Sequence, residues 1–234
     1  MLNQVFNQYE ISITDYQIEQ FNQYFELLIQ WNEKINLTTI TEYNDVVKKH
    51  FLDSCLLLKL YSVKNFIGKS IIDVGTGGGF PGIPLSIMMP NTNFVLMDSL
   101  NKRIDFLKKV VDILKLSNVK LVHGRAEDLG QDCAYREQFD ICVSRAVAAL
   151  PLLLEYCSPF IRKEGCLYLY KSKKVNEEIR DSENALHLLN CKIRDNIELV
   201  NEDDYLRYLL EIEKVDHTPD KYPRKAGKPK KKPL

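Results

Sequence analysis

The sequence has no run of 18 apolar residues, so no helical membrane span is expected. Its opening stretch, Met-Leu-Asn-Gln-Val-Phe-Asn-Gln, lacks a basic n-region and an apolar h-region, so no secretory leader is expected either. The six cysteines (Cys55, Cys133, Cys142, Cys157, Cys166 and Cys191) are scattered, and no two form a C-x-x-C pair. That spacing indicates neither a zinc site nor a disulfide framework. No metal is expected, and a reducing cytoplasm is the simplest setting. Net charge is also missing, with 32 Lys and Arg against 32 Asp and Glu. The neutrality is an average: residues 217–234 carry seven basic residues against one acid, Asp220, leaving 25 basic and 31 acidic residues elsewhere. A roughly neutral body with a basic tail differs physically from a uniformly neutral chain.

What is present centres on residues 70–82, Ser-Ile-Ile-Asp-Val-Gly-Thr-Gly-Gly-Gly-Phe-Pro-Gly. Ile71, Ile72 and Val74 are apolar and β-branched and run straight into glycines, which predicts a buried strand. The glycines cannot be a helix interior, where each costs about 1 kcal/mol. A helix is expected from Pro81, since proline is tolerated in a first turn. Strand, glycine turn and helix make the nucleotide-binding corner of a doubly wound sheet. Gly75, Gly77 and Gly79 spell G-x-G-x-G rather than the dinucleotide G-x-G-x-x-G, and no Lys-Ser/Thr follows as in a P-loop. With Asp73 just before the first glycine, the pattern resembles motif I of class I S-adenosylmethionine (AdoMet) methyltransferases. Phe94 to Asp98 reads as a second strand ending in an acid, placed to hold both ribose hydroxyls.

Thr14 to about Glu33 predicts an amphipathic helix with Ile18, Phe21, Phe25 and Leu28 on one face, opened by a Thr14/Gln17 capping box. A second helix is expected from about Glu42 to Leu60. These helices are either an extension packed on the sheet domain or a substrate-side cap. His50, Asp53 and Ser54 share a face of the second helix, as a local polar cluster or as the border of a substrate cleft. Further helices are expected over 83–89, 100–116 (with Ile104, Leu107, Val111 and Leu114 inward), 150–161 and 176–189. Strands are expected over 119–123, 139–144 and 165–170, then as an edge hairpin near 193–199 and 205–212. The fold class is therefore α/β, Rossmann-like, with a mostly parallel seven-stranded sheet, an antiparallel edge hairpin and N-terminal helices. The expected division is 1–62 for the helical extension, 63–216 for the cofactor domain and 217–234 for the basic, proline-rich tail. That tail reads either as a disordered solubilising end or as a phosphate contact through Arg224, Lys225, Lys228 and Lys230–Lys232.

The end of the fourth strand narrows the chemistry. Enzymes that methylate exocyclic amines place Asn/Asp-Pro-Pro-aromatic there, whereas this chain has Ser144-Arg-Ala; no Pro-Cys supplies a covalent nucleophile. A purine N7 needs neither, because its lone pair is already free. Alignment and exclusion of water then suffice, and a nearby carboxylate stabilises the charged product.

Trp31-Asn-Glu-Lys-Ile-Asn-Leu-Thr-Thr-Ile40, His50-Phe-Leu-Asp-Ser54, Asp73-Val-Gly-Thr-Gly-Gly-Gly-Phe-Pro-Gly-Ile-Pro84, Asp98-Ser-Leu-Asn-Lys-Arg103, Ser144-Arg-Ala146 and Tyr222-Pro-Arg-Lys-Ala-Gly227 together resemble the RsmG (GidB) family. That family comprises bacterial 16S rRNA methyltransferases acting on a guanine N7. The resemblance implies AdoMet contacts at Gly75, Gly77, Phe80, Asp98, Ala126, Glu127 and Arg145, with Asp73 beside them. Arg145 bridges cofactor and RNA or pairs with a carboxylate. The basic tail becomes an RNA contact, Lys171 a second one, and His50 and Asp53 shape the guanine pocket. Implied partners are 16S rRNA or the 30S subunit, with the protein acting as a monomer and touching no membrane. Lys228-Pro-Lys-Lys-Lys232 departs from the family's usual Thr-Pro-Asn/Ser-Lys. The rival readings are a nicotinamide oxidoreductase on the same fold and a non-catalytic RNA-binding protein.

Overall fold

The structure, a computed structural model, describes residues 2–199 and 206–234. Its strands are β1 (Ser70–Val74), β2 (Asn93–Asp98), β3 (Val119–His123), β4 (Phe139–Arg145), β5 (Ile161–Lys171), β6 (Cys191–Leu199) and β7 (Arg207–Lys214). They form one seven-stranded sheet in the order β3-β2-β1-β4-β5-β7-β6. β2 and β3, β1 and β4, and β4 and β5 pair in parallel, while β7 runs antiparallel to both β5 and β6. This is the expected doubly wound sheet closed by an edge hairpin. The expected start of the last strand, Tyr205, lies outside the described residues. Among the described residues, no helix is long and apolar enough to cross a membrane, and no group of His, Cys, Asp and Glu is arranged to hold a metal ion.

The chain divides into two compact units, one made of the chain up to Lys69 plus Thr76–His123, the other of Ser70–Gly75 plus the chain from Gly124. In the first, the Asp15–Ile35 helix opens with the predicted capping box: Thr14 accepts the Gln17 N–H, and Gln17 accepts the Thr14 N–H. Its inner face is Gln20, Phe21, Tyr24 and Leu28, with Ile18 and Phe25 only half-buried. Tyr24 and Gln20 go inside because each polar end finds a carbonyl, Gly78 for the phenol and Leu114 for the amide. Phe6, Phe21, Phe51, Tyr24 and Phe80, in that order, form a chain of ring contacts, with neighbouring centroids 4.9–5.5 Å apart. Phe6 comes from a short helix, Leu2–Gln8, that seven residues of weak pattern did not predict.

The helix expected over 42–60 is interrupted. A π-helical stretch, Val47–Leu52, stands between Tyr43–Val46 and Asp53–Cys55 and carries His50. Such insertions re-aim the side chains on them. In the Asn101–Ile113 helix, Val110 rather than Val111 faces inward beside Ile104, Phe106 and Leu107.

In the second unit, β1 is buried from Ile71 onward, and the Ser70 hydroxyl and amide both bond to Asp140 of β4 at 2.8 Å. The helix expected over 176–189 breaks at Ser182, whose hydroxyl donates back to the Glu178 carbonyl at 2.6 Å. That local bond competes with the helical ladder. The tail is built into this unit. Thr218, Tyr222 and Pro229 are buried, and the Arg136 guanidinium donates to the carbonyls of Thr218 (2.6 Å), Tyr222 (2.7 Å) and Gly130 (2.9 Å). Of the two readings of this segment, a disordered solubilising end does not fit: it docks through backbone carbonyls and a few apolar side chains.

Candidate functional site

The first unit supplies the glycine turn from Thr76 and the acid that faces it. Gly77 (φ +61°) and Gly79 (φ +103°) lie in the left-handed region, where a side chain is strained. A Cβ on Gly79 would lie 2.6 Å from the Tyr24 hydroxyl and 2.7 Å from Ile83. The Asp98 carboxylate, at the end of β2, is 3% exposed. Its Oδ2 accepts the Gly77 N–H at 2.9 Å and the Arg103 guanidinium at 3.2 Å, while its Oδ1 accepts the Leu100 N–H at 2.9 Å. An ionised carboxylate has about four acceptor positions, so Oδ1 keeps room for a further donor such as a sugar hydroxyl.

Phe80 stacks against His50, centroids 4.5 Å apart and planes 21° off parallel. His50 Nε2 lies 2.7 Å from Thr38 Oγ1, which also accepts the Ile40 N–H at 3.0 Å. The contact fixes the plane and position of the imidazole from its Nε2 side. Asp53 is fully buried, and the Ser54 hydroxyl donates to the His50 carbonyl. His50 is half-buried against Phe80, while Asp53 sits in the packed interior.

The second unit supplies Asp73, fully buried near the end of β1, and Gly75 (φ +74°). A Cβ on Gly75 would lie 2.7 Å from a Val147 methyl. Ser144 donates to the Val74 carbonyl at 2.8 Å, tying β4 to β1 where both end. Arg145, 9% exposed, closes β4, and Ala146 after it takes a left-handed backbone, φ +57°. For a non-glycine residue that conformation costs about 1–2 kcal/mol, and such strain gathers at functional turns. Lys171 is 6% exposed, with its ammonium 2.5 Å from Glu178 and donating to the Ala148 carbonyl at 3.0 Å. Read from sequence as an RNA contact, it is turned inward and braces the loop after β4. Ala126 and Glu127 stand on a one-turn helix, Ala126–Leu129, and Glu127 Oε1 accepts the Gly227 N–H at 3.1 Å.

A family model described as rRNA small subunit methyltransferase G (GidB) matches residues 17–204. Ribosomal RNA small subunit methyltransferase G of Lachnoclostridium phytofermentans is 49% identical over 225 residues, covering 96% of this chain and 92% of that protein. The chain belongs to the GidB family. The protein of the same name from Lactococcus lactis subsp. cremoris is 48% identical over 228 residues, covering 97% of this chain and 94% of that one. Among solved structures, a variant of the 16S rRNA (adenine(1408)-N(1))-methyltransferase from Catenulisporales acidiphilia superposes with a TM-score of 0.52 at 16% identity, over 67% of this chain and 90% of that one. The Methanococcus jannaschii fibrillarin pre-rRNA processing protein gives 0.51 at 14% identity, over 64% and 68%. At such identities these likenesses speak to the fold, that of class I AdoMet methyltransferases.

In this GidB member several partners at the site were not predicted from sequence. Tyr24 on the Gly78 carbonyl, Arg103 on Asp98, Thr38 on His50 and Gly227 on Glu127 all surround predicted residues. Arg103 had the only local signal, lying five residues after the acid in the first turn of the Asn101–Ile113 helix. Arg224, expected to meet phosphate, instead bonds the fully buried Glu155 with its Nε at 2.8 and 3.1 Å and its Nη2 at 2.5 Å.

Proposed function

We propose that this protein transfers a methyl group from AdoMet to N7 of a guanine in 16S rRNA, acting in the cytoplasm as a single chain on the naked RNA or the 30S subunit. Membership of the GidB family supports the class of reaction. The observation that carries the cofactor reading is Asp98, a nearly buried carboxylate held by the Gly77 and Leu100 amides with acceptor capacity left for a ribose hydroxyl. The residues present fit AdoMet: positive-φ glycines expose bare backbone, and buried or half-buried acids at Asp73, Asp98 and Glu127 suit a cationic ligand.

In this reading AdoMet contacts fall to Asp73, Gly75, Gly77, Phe80, Asp98, Ala126, Glu127 and Arg145. Bound AdoMet supplies an activated methyl on a sulfonium. A guanine N7 attacks with its own lone pair, so the protein needs no general base. Its work is to orient the purine and keep water out. His50, stacked on Phe80 with its Nε2 fixed by Thr38, lines the guanine side, and Asp53 supports the π-helical stretch that carries it. Arg145 fixes the charged end of the site, and Lys171 acts through Ala148 on the loop that follows. Residues 1–62 form the helical extension, 63–216 the cofactor domain and 217–234 the RNA-facing tail, with Lys225, Lys228 and Lys230–Lys232 exposed there.

The test is incubation with methyl-labelled AdoMet and either 30S particles or 16S rRNA, followed by digestion to nucleosides. Label recovered as 7-methylguanosine supports the reading. Label in another nucleoside rules out N7, and none in RNA rules out the enzyme.

A further inference from the structure

Glu127 is held in place by the far end of the chain. The Gly227 N–H donates to its Oε1 at 3.1 Å, across 100 residues of sequence. Tyr156 lies near the same carboxylate, and burial together with that negative charge pushes the Tyr156 phenol above its ordinary range. Glu127 itself stands on a four-residue helix. So short an element has little stability of its own, so outside partners must orient its side chain.

The tail is anchored to supply that partner. Arg224 forks onto Glu155, which has no exposure and sits beside Tyr156 in sequence, and the Arg224 N–H adds a bond to the same carboxylate at 2.8 Å. Gln131 donates to the carbonyls of Asp220 (3.1 Å) and Pro223 (2.9 Å). Gly130 leaves room for Pro223, whose ring atom would lie 2.8 Å from a Cβ there. Gly227 is different: it sits at φ +82°, and a Cβ added to it would meet nothing within 4 Å. Crowding does not require glycine at that point. The left-handed turn does, and it aims the N–H at Glu127.

We propose that residues 217–227 are a strap that positions Glu127 for the cofactor, with Arg224 as its clip and Gly227 as its contact. The proposal rests on the reading of Glu127 as an AdoMet contact. It makes the tail part of the cofactor machinery even when no RNA is bound, and it separates two duties within one basic segment. Arg224 and Gly227 work inward on Glu127, and the exposed lysines work outward.

The experiment is AdoMet binding by calorimetry, without RNA, on the full chain and on a truncation ending at Lys225. The truncation keeps Arg224 on Glu155 and removes Gly227. It should weaken AdoMet binding about three- to ten-fold, the range of one hydrogen bond, a readout that the lysines lost with it do not enter because no RNA is present. In the full chain, Gly227→Val should reproduce the loss because a β-branched residue cannot hold that backbone. Gly227→Asn should retain wild-type affinity because asparagine tolerates it. In a Glu127→Ala background the truncation should change AdoMet affinity no further. Unchanged affinity on truncation, or an equal loss with and without Glu127, overturns the strap while leaving the methyltransferase reading intact. A wild-type chain that binds no AdoMet overturns both.

Discussion

Gly77 and Asp98, 21 residues apart in sequence, meet through a 2.9 Å hydrogen bond from the Gly77 amide to Asp98 Oδ2. The bond joins the glycine turn to the end of β2 within one compact unit, so the acid that would take a ribose is fixed by the same loop that leaves backbone bare. Arg103 on the same oxygen and the Leu100 amide on the other complete the set. The carboxylate is thus oriented before any ligand arrives, which lowers the ordering cost of binding.

Asp98→Asn tests that orientation. Its amide nitrogen must face either the Leu100 N–H or the Gly77 N–H and Arg103, a donor against donors on either side. The loss of a charged acceptor is worth about 1.5–3 kcal/mol. AdoMet affinity measured by calorimetry should fall about ten- to a hundred-fold, with a lower thermal midpoint as well because a buried donor loses its partner. Affinity within about two-fold of wild type would show that Asp98 does not contact the ligand.

Gly75 and Val147 offer a double-mutant cycle. Gly75→Ala places a methyl group 2.7 Å from Val147 Cγ2 on a backbone at φ +74°. The left-handed strain costs about 1–2 kcal/mol and the overpacking about 1–3 kcal/mol more. Val147→Ala removes the clash but not the strain, so urea denaturation should show partial recovery in the double variant. Full additivity would mean the two side chains do not meet.

Much of this was legible because it is local. The strand, the glycine turn and the strand-final Asp98 lie within 30 residues, and period and spacing carry them directly. The charged residues were harder to read. Lys171 and Arg224 look like RNA contacts in sequence, yet Glu178 and Glu155 take them inward. No spacing rule pairs residues 69 apart, as Arg224 and Glu155 are. The π-helical stretch under His50 escaped for another reason: adding a residue to one turn changes which side chains face inward without changing composition. In the Asn101–Ile113 helix, Val110 and Val111 are chemically equivalent, and only packing decides which is buried.

Glu137 gives a pH prediction. Burial alone would raise its carboxyl, but the His217 hydrogen bond, the Thr218 N–H and the Lys214 ammonium together hold it below its ordinary value. His217 Nδ1 lies 2.6 Å from Oε2, and the Thr218 N–H 2.7 Å from Oε1. A carboxyl lowered on folding contributes stability that is present above its unfolded value and lost as pH falls through its folded one. The difference in unfolding free energy between wild type and Glu137→Gln should therefore be present at about pH 5 and above and shrink below about pH 4. Since Glu137 holds the Thr218 end of the tail, the same loss should appear as faster amide exchange near Thr218 at acid pH. A difference that grows below about pH 4 would reverse the sign and exclude these contacts as its source.

The exposed lysines of the tail should act on RNA alone. Lys230, Lys231 and Lys232 stand in solvent, whereas Arg224 nearby is committed to Glu155. Each phosphate contact releases counterions, so log Kd against log salt should flatten by about 0.7–0.9 per contact removed. Changing all three to Gln should weaken 16S rRNA binding at low salt, flatten that slope by about two to three, and leave AdoMet affinity as it was. Arg224→Gln should give the opposite pattern, a lower thermal midpoint with the salt slope unchanged, because its charge faces a buried carboxylate and not solvent. A slope unaffected by the lysine changes, or lowered by the arginine change, would place the phosphate contacts elsewhere on the protein.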